Sequence, residues 1–156
     1  MKKIFFVVLL FFLTFCIFAQ EKRESPLSIG VGLEWNMDSR HNFAGGAVLG
    51  LAYNLPNNFA VGLDISGSSN FRDTHVLEPD FFLRYYLMNR RYNGLFIQAD
   101  VGAFLMFEED GNTILPEFGF RGGYRLNLGS SFYLEPYGRL GFPFAFGIGL
   151  MAGIRF

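Results

Sequence analysis

The chain has 156 residues, of which 51% are hydrophobic and 19% aromatic, with a formal net charge of −1. This length suits one domain, and the nearly neutral charge excludes the basic footprint of a nucleic-acid-binding protein. The single cysteine, Cys16, excludes an internal disulfide and a metal site built from cysteines. Lysine occurs only at positions 2, 3 and 22, although soluble β proteins ordinarily carry lysine on their solvent-facing strands.

The first predicted element is a secretory signal peptide over residues 1–19. Lys2 and Lys3 precede an apolar run over residues 4–18, and the small residue Ala19 ends it. This order is typical of a signal peptide, and the run is shorter than the roughly 20 residues of a membrane-spanning helix. Two alternatives stay open, namely acylation of Cys16 in a lipoprotein and an uncleaved anchor helix.

Beyond residue 20, apolar and polar side chains alternate with period two in eight segments separated by turn signals. We expect strands at 27–36, 43–55, 59–67, 77–88, 95–107, 113–126, 131–142 and 144–156. No helical period interrupts them. The pattern predicts an all-β fold, an eight-stranded antiparallel up-and-down barrel, as one domain over residues 25–156.

The last segment shows the sidedness of these strands most clearly. Phe144, Phe146, Ile148 and Leu150 share one face, whereas the other face is mostly glycine and includes Arg155. Glycine weakens a strand unless space is short, and space is short inside a small closed barrel. We therefore expect the bulky face to point outward to lipid and the small and charged face to point inward.

Segments of this length match the ~9–11 residues with which a β-strand crosses a membrane. The first strand should pair with the last, because an unpaired edge cannot be tolerated in lipid. Aromatic side chains near strand ends are candidates for the girdles at the two membrane surfaces, although each could equally be a packed ring. These are Trp35, Tyr53, Tyr85, Tyr92 and Tyr124.

The predicted inward face collects acids and arginines. They are Glu34, Asp64, Glu78, Asp80, Asp100, Glu117 and Glu135 with Arg84, Arg121, Arg125, Arg139 and Arg155. Because a buried unpaired charge costs several kcal/mol, we expect these groups to pair in a plugged interior without an open pore. Arg84 should pair with Asp100 or Gln98. A path for protons or ions is the functional alternative.

A specific register is predicted for the sixth and seventh strands. A turn centred on Leu128 would place Arg121 opposite Glu135. The same register would place Glu117 opposite Arg139, so that two complementary pairs form on the inner face.

The turns also predict an orientation. With both termini in the periplasm, the turns at 55–58, 89–94 and 127–130 are periplasmic. The connections at 37–42, 66–76, 107–112 and 142–145 then lie outside the cell. This arrangement puts most of the longer loops outside, as such barrels prefer.

These features resemble the small eight-stranded bacterial outer-membrane barrels of the OmpX/OmpA/OmpW-like superfamily. The resemblance spans about residues 25–156. It rests on the strand pattern and on the terminal Ile154-Arg155-Phe156, since the aromatic Phe156 resembles the assembly signal of such barrels. It implies a bacterial outer-membrane location, a structural or surface-interaction role, and lipid, lipopolysaccharide and the barrel-assembly machinery as partners. No cofactor is implied.

Catalysis is a weaker alternative. Some small outer-membrane barrels modify lipid A with histidine and a serine or an acid. His41 and His75 are the two histidines, both in predicted loops, and Ser68, Ser69 and Asp73 share the loop of His75. Because histidine in an exposed polar loop is usually solvated, we expect no enzyme. A lipid-A-modifying enzyme and a carrier of small hydrophobic ligands remain alternatives.

The remaining alternatives concern metal binding and fold. Glu108, Glu109 and Asp110 could bind a divalent cation, but three adjacent acids are more often a solvated loop tip, so we predict no metal site. A secreted lipocalin-type barrel would turn the bulky face inward around a ligand. The interior of an eight-stranded barrel is too small for these large side chains together with a ligand.

Overall fold

The computed structural model describes residues 26–38, 43–71, 74–87, 92–108 and 111–156. Eight strands follow one another in it: β1 (Leu27–Asp38), β2 (Phe43–Asn54), β3 (Phe59–Ser69), β4 (His75–Tyr86), β5 (Gly94–Glu108), β6 (Gly111–Leu128), β7 (Phe132–Phe142) and β8 (Phe144–Arg155). In these ranges, no helix is long and apolar enough to cross a membrane. The predicted signal peptide, with Cys16 and Ala19, lies outside the described residues.

The eight strands close into one antiparallel barrel in chain order, and β1 pairs with β8 as well as with β2. The predicted all-β fold is therefore confirmed. We call the end of the barrel that holds Leu27 and Arg155 the terminal end. The opposite end, where β1 joins β2 and β5 joins β6, is the loop end.

At the loop end the strands are longer than predicted. β3 continues to Ser69 and β4 begins at His75, which pair with each other, so the predicted loop at 66–76 shortens to residues 70–74. The prediction that His75 lies in a loop is wrong. Likewise, β5 and β6 continue to the pair Glu108 and Gly111. An antiparallel ladder persists while both backbones stay extended, even where the apolar alternation has ended.

The two faces of the strands have the predicted sidedness. Phe120 and Ile148 are 71% and 52% exposed, whereas Arg121 and Glu135 are 2% and 0% exposed. Successive side chains of a strand point to opposite faces, so the bulky side chains cover the outer wall and the charged ones enter the lumen. The lipocalin-type arrangement, with the bulky face inward, is therefore wrong.

Phe144 departs from this pattern. The sequence places its ring on the outer face, but its side chain is only 6% exposed and lies in the lumen. The register between β1 and β8 shifts here, because Met37 pairs with Phe146 and Asp38 pairs with Phe144. The extra residue, Ala145, forms a β-bulge, and a bulge re-aims the side chain that follows or precedes it.

The aromatic candidates occupy two levels of the outer wall. Trp35 is exposed near the loop end, and Tyr53 and Tyr124 are exposed near the terminal end. Tyr85 also lies near the terminal end, with its ring 4.9 Å from that of Phe59. The fifth candidate, Tyr92, does not belong to a girdle.

Tyr92 is instead a packed ring in the terminal-end turn. Its hydroxyl donates a hydrogen bond to the carbonyl of Leu55 at 2.8 Å, and its ring meets the edge of Tyr86 with centroids 5.6 Å apart. Tyr92 therefore joins the apolar cluster that fills the lumen at this end.

Candidate functional site: the barrel lumen

The lumen is lined by buried charged side chains, each no more than 7% exposed. They comprise seven carboxyl groups and four guanidinium groups: Glu34, Asp64, Glu78, Asp80, Asp100, Glu117 and Glu135, with Arg84, Arg121, Arg125 and Arg139. On β6 the inner face alternates charged side chains with Gly119 and Gly123, which leaves room for the long arginines to cross the interior. The remaining predicted interior charge, Arg155, is half-buried at the terminal end.

Glu135 is the centre of the network near the terminal end. Arg84 approaches both of its carboxylate oxygens, with Nη2 at 2.9 Å from Oε1 and Nη1 at 3.0 Å from Oε2. Arg125 donates from Nε to Oε2 at 2.6 Å. Arg84 also donates from Nε to Oε1 of Gln98 at 2.7 Å, which is one of its two predicted partners.

Aromatic rings flank these two arginines. The guanidinium of Arg84 lies 4.1 Å from the ring centroid of Phe96, and that of Arg125 lies 4.0 Å from the ring centroid of Tyr133. A desolvated guanidinium is attracted by the negative face of a ring, so the rings stabilise charges that have lost their water.

Arg121 bridges opposite walls in the middle of the barrel. Its Nη1 lies 2.7 Å from Oδ2 of Asp64 on β3, and its Nε lies 4.0 Å from Oδ2 of Asp100 on β5. The guanidinium also lies 4.7 Å from the ring centroid of Tyr137. One side chain from β6 thus connects three strands across the lumen.

Arg139 gathers the carboxyl groups nearer the loop end. Its Nη1 donates to Oε1 of Glu34 at 2.8 Å, and its Nη2 donates to Oε2 of Glu78 at 3.0 Å and to Oε1 of Glu117. The hydroxyl of Tyr137 donates to Oε2 of Glu34 at 2.7 Å. Three strands besides β7 are held together through one guanidinium.

The predicted register of β6 and β7 is wrong, although the faces are right. Arg121 lies opposite Arg139 instead of Glu135, because the hairpin is centred on Ser130 and not on Leu128. Gly129 adopts a φ of 74°, which favours glycine, and it allows a turn over residues 129–131. The shift moves the pairing by an even number of residues, so every side chain keeps its face.

This register explains why the predicted pairs are only partly formed. Arg121 and Arg139 face each other with like charge, and each guanidinium turns to different carboxylates. Arg139 still reaches Glu117, but Glu135 is bound by Arg84 and Arg125. Arg121 is left to pair across the barrel.

Arg155 was predicted in the interior network but lies at the mouth of the terminal end. Its Nη2 donates to the carbonyl oxygens of Gly129 and Ser130, at 3.5 Å and 3.1 Å. Its strand position opposite Ser28 places it below the clustered charges. Ser28 is buried on the inner face, so Arg155 shares that face at the mouth of the barrel.

Apolar side chains also fill the lumen, in two clusters. The cluster at the terminal end contains Val48, Ala60, Tyr86, Phe96, Tyr133, Tyr137 and Met151, and Tyr92 packs against it. The cluster at the loop end contains Ala44, Val76, Phe104 and Phe144, with Met106 and Leu115 packed against it. The first cluster therefore packs among the charges of the terminal half, and the second lies at the loop end.

Sequence reasoning missed three of these lumen aromatics, Phe82, Phe96 and Phe144. Phe82 and Phe96 stand within apolar runs that hide the alternation. Strict counting from Arg84 and Gln98, two residues away, would have found them, because alternate residues share a face. Nothing in the sequence marks the bulge that brings in Phe144.

The structure brings together only part of the candidate catalytic group. Ser68 is buried on the inner face, whereas His75 is exposed and pairs with Ser69. His41 and Asp73 lie outside the described residues. Ser68 therefore cannot exchange a proton with His75 directly, whereas Ser69 lies opposite His75 across β3 and β4.

The acidic loop is described only at its first residue. Glu108 is exposed, and its Oε1 accepts a hydrogen bond of 3.4 Å from the hydroxyl of Thr74. Glu109 and Asp110 lie outside the described residues. Among the residues that the structure describes, no group of three or more His, Cys, Asp or Glu is arranged to hold a metal ion.

No protein-family model and no curated protein sequence matches the chain. Solved structures do match it. Neisserial surface protein A superposes with a TM-score of 0.67 at 8% identity, over 83% of this chain and 96% of that one. The N-terminal β-barrel domain of OprF from Pseudomonas aeruginosa superposes with a TM-score of 0.54 at 13% identity, over 83% and 97%.

A designed protein is similar as well. A de novo transmembrane β-barrel superposes with a TM-score of 0.52 at 17% identity, over 86% of this chain and 99% of that one. At such low identities the likeness concerns the fold alone. The chain has the fold of a small, closed, eight-stranded membrane β-barrel.

Proposed function

We propose that the protein is an integral barrel of the bacterial outer membrane, with a plugged interior and a structural or surface-interaction role. The observation that carries this proposal is the filled lumen, in which paired charges and two apolar clusters are packed together. A barrel filled in this way has no continuous water path, so its activity must lie at its surfaces.

The outer wall supports a membrane location. Large apolar side chains are exposed along all eight strands, for example Leu33 at 56%, Phe81 at 66% and Val101 at 62%. Water would disfavour so continuous an apolar surface, whereas hydrocarbon accepts it. Closure by the β1–β8 pair supports the same location, because it satisfies backbone groups that lipid cannot.

The loop end supports an interaction role. β7 pairs with β6 only as far as Phe118 and Phe142, whereas β6 begins at Gly111 and pairs with β5 up to Glu108. The β5–β6 hairpin therefore projects beyond its neighbour on the β7 side, with exposed side chains at residues 111–114. In the predicted orientation this hairpin stands outside the cell, where it would contact lipopolysaccharide or surface ligands.

The C-terminus supports assembly by the machinery that inserts such barrels. The backbone N–H of Phe156 donates to the carbonyl of Leu27 at 3.0 Å, so the last residue lies at the seam where β8 meets β1. We propose that the assembly machinery binds this aromatic residue before β8 pairs with β1. The proposed partners are thus lipid, lipopolysaccharide and the assembly machinery.

We propose no enzymatic activity, because Ser68 lies on the opposite side of the wall from His75. Ser69 pairs with His75, but its Oγ accepts a hydrogen bond from the backbone N–H of Phe71 at 2.9 Å. A lipid-A deacylation or acyl-transfer assay tests this point. The purified protein should be inactive, and activity that is lost in His75→Ala or His41→Ala would overturn the proposal.

Planar-bilayer recording tests the filled lumen directly. The purified protein should give no steady single-channel current. As a matched comparison, Phe104→Ala/Phe144→Ala removes two rings from the loop-end cluster, where their centroids lie 5.4 Å apart. Steady, large currents from the unmodified protein would defeat the proposal.

The surface-binding profile of a deletion strain, compared with its parent, tests the interaction role.

A further inference from the structure

The buried charges divide into two groups of unequal balance. In the half nearer the terminal end, three guanidinium groups meet three carboxyl groups: Arg84, Arg121 and Arg125 with Asp64, Asp100 and Glu135. In the half nearer the loop end, Arg139 meets Glu34, Glu78 and Glu117, and Asp80 lies beside them on β4. We call these four carboxyl groups and their surroundings the acid chamber.

Among the described residues, one guanidinium forms ion pairs in the acid chamber: Arg139, with Glu34, Glu78 and Glu117. The Nη2 of Arg139 donates both to Oε2 of Glu78, at 3.0 Å, and to Oε1 of Glu117. Because both oxygens contact the same nitrogen, the two carboxyl groups lie close to each other. Two carboxyl groups that share one site cannot both stay ionised at low cost.

Asp80 and Glu117 converge from the two sides of a glycine. Asp80 pairs with Gly102 across β4 and β5, and Gly102 pairs with Glu117 across β5 and β6. Gly102 has no side chain to separate them, and Oδ1 of Asp80 leans over it. Neither Oδ1 of Asp80 nor Oε2 of Glu117 has a hydrogen-bond partner among the described residues, and the two side chains are only 2% and 1% exposed.

The chamber is enclosed on every side. Phe104 and Phe144 cover it toward the loop end. The charged and titratable groups that face it from the surrounding strands are Glu34 on β1, Asp64 on β3, Asp100 on β5, Arg121 on β6, and Tyr137 and Arg139 on β7. The residues of β2 and β8 that face it are uncharged: Val48, Gly147 and Gly149. The one further cation, Arg121, is bound to Asp64 at 2.7 Å.

If all four carboxyl groups were ionised, the chamber would hold three more negative charges than positive ones. Burying an uncompensated charge costs several kcal/mol, so positive charge must enter from outside. The described carboxyl groups are not arranged to hold a metal ion. Protons are the remaining source, and each would bind a carboxyl oxygen that has no other partner.

We propose that Asp80 and Glu117 hold protons at neutral pH and release them to water at alkaline pH, which loosens the barrel. Each proton comes from solvent onto a carboxylate oxygen and returns to solvent when it is released. The released charges then repel one another around Arg139. This inference rests on the closed lumen of the proposed function, since water in an open pore would hydrate the carboxylates instead.

Infrared spectroscopy of the protein in lipid vesicles tests the bound protons. At neutral pH the protein should show the carbonyl stretching band of protonated carboxylic acids, and the band should shift in deuterated water. Asp80→Asn and Glu117→Gln should each remove part of it. The control is Glu108→Gln, which changes an exposed carboxyl group at the loop end and should leave the band unchanged.

The pH dependence of stability gives a second readout. In the unfolded chain these carboxyl groups are ionised at neutral pH, so the folded state binds more protons and its stability falls as pH rises. Each retained proton should make the folded-to-unfolded ratio fall about tenfold per pH unit. Asp80→Asn/Glu117→Gln mimics the protonated form and should flatten this dependence, measured from urea midpoints between neutral and alkaline pH.

Three outcomes would overturn the inference. They are a neutral-pH spectrum of the unmodified protein without the acid band, a band that survives in the double variant, and stoichiometric bound metal that chelators remove. The bilayer recordings separate this failure from that of the proposed function. A missing band in a non-conducting barrel rejects the protonated chamber alone, whereas a missing band in a conducting barrel rejects the closed lumen as well.

Discussion

Arg121 on β6 lies 2.7 Å from Asp64 on β3, across the lumen and 57 positions apart in the chain. Removing one partner of a buried pair leaves the other charge without compensation, which typically costs about 3–5 kcal/mol. We expect Asp64→Ala to lower the free energy of unfolding by about this amount, measured by urea titration of the barrel in detergent micelles.

The matched control for this pair removes both charges. Asp64→Leu/Arg121→Met replaces them with apolar groups of similar size and should recover most of the lost stability, because no buried charge is then left alone. A double variant as unstable as the sum of the two single variants would contradict the importance of this pairing.

Two neighbouring glycines on β6 should respond very differently to alanine. A Cβ at Gly123 would lie 2.6 Å from Cζ of Phe96 and 2.6 Å from the backbone oxygen of Pro136, whereas one at Gly122 would meet its nearest atom at 4.0 Å. Overpacking of this kind costs about 1–3 kcal/mol. We expect Gly123→Ala to destabilise the barrel by this amount and Gly122→Ala to be nearly neutral. Equal urea midpoints for the two variants would count against the lumen packing.

A charge on the outer wall tests the membrane location. Phe120 is 71% exposed near the middle of β6, and an arginine in the middle of the lipid face costs about 2–4 kcal/mol. Phe107 lies near the loop end, where the cost falls to about 0–1 kcal/mol. In refolding into lipid vesicles, Phe120→Arg should be much less stable than Phe107→Arg. Similar stabilities for both would argue against lipid at the centre of this face.

The bulge in β8 makes a prediction about two nearby phenylalanines. Phe144 is 6% exposed in the lumen, whereas Phe146 is 43% exposed on the outer wall. Truncating a buried phenylalanine costs about 3–5 kcal/mol. Phe144→Ala should therefore lower stability far more than Phe146→Ala, measured by the temperature at which the folded band disappears on a gel. The reverse order would return Phe144 to the outer wall.

The orientation is open to a labelling experiment. The single cysteine, Cys16, lies within the predicted signal peptide, so the mature chain should be free of cysteine. Asn112 and Ser130 are exposed at opposite ends of the barrel. Asn112→Cys should react with a membrane-impermeant maleimide on intact cells, and Ser130→Cys only after the outer membrane is permeabilised. Labelling of Ser130→Cys alone on intact cells would invert the orientation.

The sidedness of the strands could be read from the sequence because it is a local property. Adjacent side chains of a strand point to opposite faces whatever the rest of the chain does, so Phe120 and Arg121 must lie on opposite faces. The same rule puts Glu135 and Arg139 together on the inner face. The number of strands follows equally locally, since turn residues such as Asn57 and Gly129, both with positive φ, separate the segments.

The partners of the buried charges could not be read in this way. Glu135 binds Arg84, 51 positions away, because closure brings β4 and β7 to opposite walls of a narrow lumen. The register of β6 and β7 depends on how many residues the turn takes, and the glycine at 129 fits more than one turn length. When the register between two strands shifts by an even number of residues, every apolar side chain keeps its face. The alternation of apolar and polar residues therefore could not reveal the error.

The sequence by itself determined that this chain forms eight strands with a bulky outer face and a charged inner face, because that information repeats every two residues along a strand. Only the tertiary structure decided which charges meet, where β8 bulges to bring Phe144 inside, and how the acid chamber is enclosed. Those features depend on side chains that reach across the lumen from strands far apart in the chain, and on a register that local alternation leaves undetermined.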